Sequence, residues 1–224
     1  MDIKVGNGAF MKDKKEAIIL GDYLKNVAEK FDIKMKYSIT DMNQPLGNQA
    51  GLICEVIESI ETLKGNGPND LLKVVSHLAN ECLTLAGIDN GMQKIEKVIN
   101  NGKAYEKFEK MIIAHGGDIS SIKLNPSITK IIKAEKEGYL NFNNTKGLGM
   151  SIIELGGGRK KIDDIVDSNA GFRLIKKHGS YVNKDDEIAE IFCSDNNKIE
   201  KGILTFEKSI QIINQLPNNY KLIY

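Results

Sequence analysis

The sequence predicts an α/β fold that gives way to a β-rich second part. Apolar residues recur at helical spacing through most of residues 13–114, with one alternating stretch among them, whereas beyond Gly116 the period shortens to runs typical of strands. Composition is the third observation. Of 224 residues 41% are hydrophobic and 27% charged, the balance of a chain that buries a real core rather than staying disordered.

Taken in order, residues 1–12 read as the end of a buried strand running into a tight glycine turn and then a helix, so the chain is expected to open inside a domain. From residue 13 to about 31, Ala17, Leu20, Leu24, Val27, Ala28 and Phe31 mark one helical face. Residues 34–40 then alternate, with Met35, Tyr37 and Ile39 on one side, which completes a strand–helix–strand unit. Residues 49–63 are expected to form one amphipathic helix with Leu52, Ile53, Val56, Ile57, Ile60 and Leu63 inward and Gly65 at its C-cap. Pro68 precedes another helix from Asn69, its inner face built from Leu71, Leu72, Val75, Leu78, Cys82 and Leu85. Shorter helices are expected at 92–100 and 103–114, each ending near glycine. A boundary is expected near Asn125-Pro126, dividing α/β residues 1–125 from β-rich residues 126–224, where runs such as 128–132 and 171–175 read as strands.

Thirty-one basic and 30 acidic side chains leave a net charge of +1, with no basic stripe and no interleaved aromatics, so nucleic acid is not an expected partner. No apolar run approaches membrane-spanning length, and the first residues lack the layout of a signal peptide; a cytoplasmic chain with no membrane partner is expected. Cys54, Cys82 and Cys193 are odd in number and widely spaced, which fits a reducing compartment better than a disulfide framework.

Residues 38–51, Ser-Ile-Thr-Asp-Met-Asn-Gln-Pro-Leu-Gly-Asn-Gln-Ala-Gly, are followed by Glu-Thr-Leu-Lys-Gly-Asn-Gly-Pro at 61–68. With Ala114-His115-Gly116-Gly117-Asp118, residues 134–139, Leu148-Gly149-Met150 and residues 155–161 in the same order, this series resembles the thymidine phosphorylase/pyrimidine-nucleoside phosphorylase family. The resemblance implies the C-terminal part of the phosphorylase α/β domain, followed by a β-rich, barrel-sandwich-like C-terminal domain. Residues 178–191 are similar to the hairpin of biotinyl/lipoyl-type domains, with Asp185 where glycine is usual. The implied chemistry is reversible phosphorolysis of thymidine or a related pyrimidine nucleoside, with phosphate as co-substrate. The family's serine- and glycine-rich phosphate segment and its base-gripping Arg, Ser and Lys belong to an N-terminal half that does not match here. The resemblance therefore implies a fragment that is weakly active or inactive alone, or a noncatalytic remnant or subunit needing a separate N-terminal chain. It also implies a homodimer.

The turn Gly6-Asn7-Gly8-Ala9-Phe10 lacks the third glycine and the acidic ribose partner of a dinucleotide fingerprint. Residue logic allows Phe10 as a core side chain or as an aromatic packed on a planar base; the resemblance implies the second, with Lys4 and Met11 flanking the same pyrimidine pocket. For Lys4 and Met11, ordinary strand or core packing is the simpler alternative. The resemblance further implies a potassium ion held by the carbonyls of Leu46 and Gln49 and the carboxylate of Glu58, a donor set that suits a hard cation. Without it, Glu58 would join Glu55 and Glu61 on a solvated helix face. Gly51-Leu52-Ile53-Cys54 departs from the family's Gly-Asn-Ala-Leu at this point. His77, His115 and His178 have no metal-ligand spacing, His115-Gly116-Gly117 reads as a helix C-cap, and residues 156–161 read as a β-loop whose basic end pairs with Asp163 and Asp164.

Overall fold

A computed structural model describes residues 1–224 and divides into two compact units. The first comprises Met1–Met42, Ser59–Ser121 and Lys221–Tyr224, the second Asn43–Glu58 and Ile122–Tyr220.

In the first unit, strand β1 (Asp2–Val5) lies parallel to β2 (Ser38–Asp41), with Ile3 beside Ile39. Parallel pairing demands a crossover, which helix α1 (Lys14–Lys30) supplies. Asp13 starts the helix by accepting the N–H of Glu16 at 3.0 Å. Ile3, Val5, Ala17 and Ile39 form a small core, with Met11, Leu20 and Tyr37 packed on it. The expected strand over 34–40 shortens to Ser38–Asp41, because α1 ends in a turn with Asp32 at φ +56° and only the last residues reach the ladder. The helix face also differs. Val27 and Phe31 are exposed, at 53% and 72%, because α1 approaches the sheet through its smallest residues, Ala17 and Gly21, one turn apart. The far edge of β2 is closed by the C-terminal residues: Asp41 donates to the Leu222 carbonyl at 3.0 Å and Tyr224 to that of Ile39 at 2.9 Å.

Helix α2 (Ile53–Leu63) contributes residues to both units, and α3 (Asn69–Leu85), α4 (Gly91–Asn100) and α5 (Lys103–Ala114) follow in the first. Gly102 and Gly116, at φ +77° and +78°, make the turns between and after the last two, as their sequence positions predict. On α3 the buried side chains are Val74 and Ser76, while Val75 and Cys82 of the expected inner face are exposed. The apolar stripe of α3 is wider than the surface its neighbours cover.

The second unit contains β3 (Gln49–Gly51), β4 (Ile128–Lys133), β5 (Gly138–Phe142), α6 (Thr145–Glu154), β6 (Gly171–Leu174), β7 (Tyr181–Val182), β8 (Glu187–Cys193), α7 (Asn196–Glu207) and β9 (Ile210–Ile213). One antiparallel sheet runs β3–β6–β8–β4 and another β7–β5–β9. Leu140, Phe142, Phe172, Ile191 and Phe206 lie in the core between them and the two helices, with the Phe172 and Phe206 rings edge to face at 5.1 Å.

Three expectations are corrected here. The helix expected over 49–63 begins at Ile53, since Gln49, Ala50 and Gly51 pair with Arg173, Phe172 and Gly171, and Leu52 points to solvent at 45% exposure. The part expected to be β-rich carries two helices: α6 hides behind two glycines and α7 behind an asparagine-rich start, and both rely on side-chain caps, Asn144 to the N–H of Gly147 and Asp195 to that of Asn197, each at 2.9 Å. The segment 178–191 is not a two-stranded ladder, because β7 joins β5 and β8 joins β4 and β6. Its turn holds Asp185 at φ +70°, the conformation that explains why glycine would be usual there. The observed class is mixed α/β with several antiparallel ladders. No helix is long and apolar enough to cross a membrane.

Candidate functional site

The sequence-predicted residues fall in two groups, Lys4, Phe10 and Met11 in the first unit and Leu46, Gln49 and Glu58 in the second. In the first group, β1 ends in a turn tied by Gly6 N–H to the Met11 carbonyl and Ala9 N–H to that of Gly6, both 3.1 Å, and by Gly8 N–H to that of Met42 at 2.9 Å. Gly6 adopts φ +133°, which a side chain would resist. Lys12 closes the turn by donating its Nζ to the Ala9 carbonyl at 2.8 Å. The result holds Phe10 away from the protein at 92% exposure, so it is not a core residue. Met11 pairs beside Val5 and packs on the small core, while the Lys4 ammonium bonds Thr40 Oγ1 and Asp2 Oδ2, each at 2.8 Å. Thr40, fully buried, donates a hydrogen bond from its own hydroxyl to Asp2 Oδ1 at 2.6 Å.

The second group is drawn together around Glu58. This side chain is only 8% exposed, which removes it from the solvated helix face. Its carboxylate accepts the backbone N–H of Asn48 at 2.9 Å and of Gln49 at 3.3 Å, so helix α2 anchors the loop before β3. Gly47, at φ +73°, passes so close that an added Cβ would fall on Glu58 Oε2. Leu46 is half-buried beside it. At the start of α2, burial pushes the Cys54 thiol up to about 12, with Glu55 adding to the effect, so it is a structural thiol and not a nucleophile.

Sequence reasoning missed Lys177. Its ammonium donates to the Pro45 carbonyl at 2.8 Å and to the Gly47 carbonyl. The strands explain why: β3 and β6 are antiparallel with Gln49 opposite Arg173, Leu174 N–H reaches the Asn48 carbonyl at 2.7 Å, and continuing that register brings Lys177 opposite Pro45. The only sequence signal was a lysine a few residues beyond an apolar strand, which names no partner.

The remaining candidates have ordinary structural partners. His77 meets Ser38 Oγ at 2.8 Å, and His115 bonds the Met111 carbonyl at 2.8 Å within the end of α5. His178 accepts the Phe142 N–H on Nδ1, which leaves Nε2 to face the Asn218 carbonyl at 3.0 Å. No three His, Cys, Asp or Glu side chains cluster to hold a metal ion. The 156–161 loop follows a helix, not a strand, and binds Asp164 through the backbone N–H groups of Lys160 and Lys161 at 2.8 and 2.9 Å. Those amides, Lys161 first, hold the Asp164 carboxyl below its ordinary value.

The family model for the pyrimidine nucleoside phosphorylase C-terminal domain matches residues 139–213, which run from β5 to β9. A thymidine phosphorylase of Metamycoplasma hominis is 37% identical over 92% of this chain and 79% of its own length. The chain belongs to the thymidine phosphorylase/pyrimidine-nucleoside phosphorylase family. Two further phosphorylase relatives are longer proteins: the thymidine phosphorylase of Colwellia psychrerythraea is 35% identical over all of this chain and 54% of its own length, and the pyrimidine-nucleoside phosphorylase of Staphylococcus epidermidis 34% identical over 95% and 51%. The chain thus spans about half the length of these two phosphorylases.

Proposed function

We propose that the chain works in reversible phosphorolysis of thymidine or a related pyrimidine nucleoside, giving free base and (deoxy)ribose 1-phosphate. The supporting observation is the 37% identity to a thymidine phosphorylase across 79% of that protein's length. Phosphate attacks the anomeric carbon as the base departs with the bonding pair, so the site must position a dianion, stabilise charge on the leaving base and exclude water. In this reading Phe10 offers an exposed ring to the base, with Lys4 and Met11 flanking the same pocket, and the 45–49 loop bears a cation. Leu46, Gln49 and Glu58 would hold a potassium ion; the all-oxygen donors fit, and the Lys177 ammonium on neighbouring carbonyls is a stand-in for a monovalent cation. A bound ion would supply fixed positive charge. The domain reading is residues 1–125 as the C-terminal part of the α/β catalytic domain and 126–224 as a barrel-sandwich-like C-terminal domain, in a cytoplasmic homodimer.

A second reading, a chain that supplies scaffold and pocket wall only beside a separate N-terminal chain, is supported by the two-stranded β1–β2 sheet. Parallel sheets are ordinarily larger and covered on both faces. The test is phosphate-dependent thymine release from thymidine by the purified chain, alone and with a separately produced N-terminal half of a relative. Release by the chain alone supports the first reading, release only after addition the second, and silence of folded protein in both defeats both.

A further inference from the structure

Helix α1 carries more apolar surface than its own sheet covers. Ile19, Tyr23 and Val27 recur every four residues along its outer side, at 56%, 68% and 53% exposure, and Phe31 continues the row past the last turn. Exposed apolar residues scattered singly are ordinary, but a contiguous stripe marks a contact surface. Two charges bracket this one. Glu16 stands three residues before Ile19 and Lys30 three after Val27, spacings that keep both on the stripe's side of the helix. Neither side chain has an ion-pair partner within the chain.

The spacing is the same from either end of the row, with an acid at one end and a base at the other. A two-fold axis through Tyr23 therefore lays one α1 antiparallel on another so that the two Tyr23 rings meet, each Ile19 faces Val27 of the second copy, and each Glu16 faces its Lys30. Parallel packing would instead set Glu16 against Glu16 and Lys30 against Lys30, which their charges oppose.

We propose that the outer face of α1 docks a second copy of this chain, antiparallel and centred on Tyr23. This rests on the homodimer of the preceding reading and gives it a surface. The apolar row supplies the attraction, and the bracketing charges select the orientation and register. One helix pair about 21 Å long falls at the small end of specific interfaces, below roughly 1,200 Å², so the dimer is weak and reversible.

The test is analytical ultracentrifugation of the purified chain from about 10 µM to about 1 mM, where a reversible monomer–dimer equilibrium is expected. Glu16→Lys or Lys30→Glu alone should weaken it about tenfold, since each turns two attractions into two repulsions, and the two together should return it to within about threefold of wild type. Reversing the charges at both ends also costs α1 some stability, so a second measurement leaves them alone. In a Cys82→Ser background, Tyr23→Cys should oxidise to a chain-to-chain disulfide, whereas Lys25→Cys, exposed on the opposite flank of α1, should not. A wild type that sediments as a monomer at every concentration overturns both this surface and the homodimer. A dimer that neither single reversal weakens, a folded double reversal that stays weak, or cross-linking at residue 25 and not at 23 keeps the homodimer and overturns α1 as its surface. Thymine release is not read, so these outcomes are independent of the phosphorolysis assay.

Discussion

The Glu58 carboxylate accepts the backbone N–H of Asn48 at 2.9 Å, across ten residues of chain and from a helix into the loop before a strand. A second amide, from Gln49, meets its other oxygen at 3.3 Å. Glutamine at this position keeps the shape but turns an NH2 group toward one of the two amides. Glu58→Gln should therefore lower stability by about 1–3 kcal/mol, the cost of an unmet buried donor. Urea unfolding measures it; an unchanged midpoint would mean that the carboxylate does not anchor the loop.

Gly47 and Gly87 form a matched pair, at φ +73° and +72°, but an alanine Cβ at Gly87 meets nothing within 4 Å while one at Gly47 meets Glu58. Gly87→Ala should show backbone strain alone, roughly 1 kcal/mol, and Gly47→Ala that strain plus about 1–3 kcal/mol of overlap. Equal shifts in the two denaturation midpoints would contradict the close approach.

Burial sets the thiols apart. Cys82 is exposed, while Cys54 and Cys193 are buried and burial raises both above the ordinary thiol value. An aromatic disulfide reagent at pH 8 should thus titrate one fast thiol in the native chain and three after denaturation. Because folding holds the Cys54 proton up to about pH 12 and the unfolded chain releases it near 9, its stabilising contribution is complete below pH 9 and is lost as pH climbs from there toward 12. Cys54→Ala should flatten that alkaline decline in a pH series of melting curves.

Phe10 packs on almost nothing, so Phe10→Ala should change unfolding stability by less than about 0.5 kcal/mol. If its ring receives the base, the same variant raises KM for thymidine, in whichever assembly is active, by about tenfold or less, the value of one aromatic face. Unaltered KM in an active preparation would remove Phe10 from the pocket.

Helices α3, α4 and α5 and the strand–helix–strand start were legible because strong periodicity and glycine caps act locally. Helices α6 and α7 were not, since Gly147 and Gly149 weaken the first and Asn196 and Asn197 blur the start of the second; caps and the Phe206 and Leu148 contacts of the core decide them. The strand hidden in residues 49–51 depends on a partner more than a hundred residues away. The same distance conceals Lys177, whereas Glu58 was found through resemblance, its burial being invisible in a helix that also bears Glu55 and Glu61.

The register that sets Gln49 opposite Arg173 and carries Lys177 to Pro45 acts as a ruler between positions 171 and 177. Inserting or deleting one residue in that interval would turn every following side chain to the opposite side and take the ammonium off its carbonyls. At a solvent-facing point such as Ile175, chemistry is free to drift while spacing is not. Natural variants of this segment should accordingly differ in letters far more readily than in length.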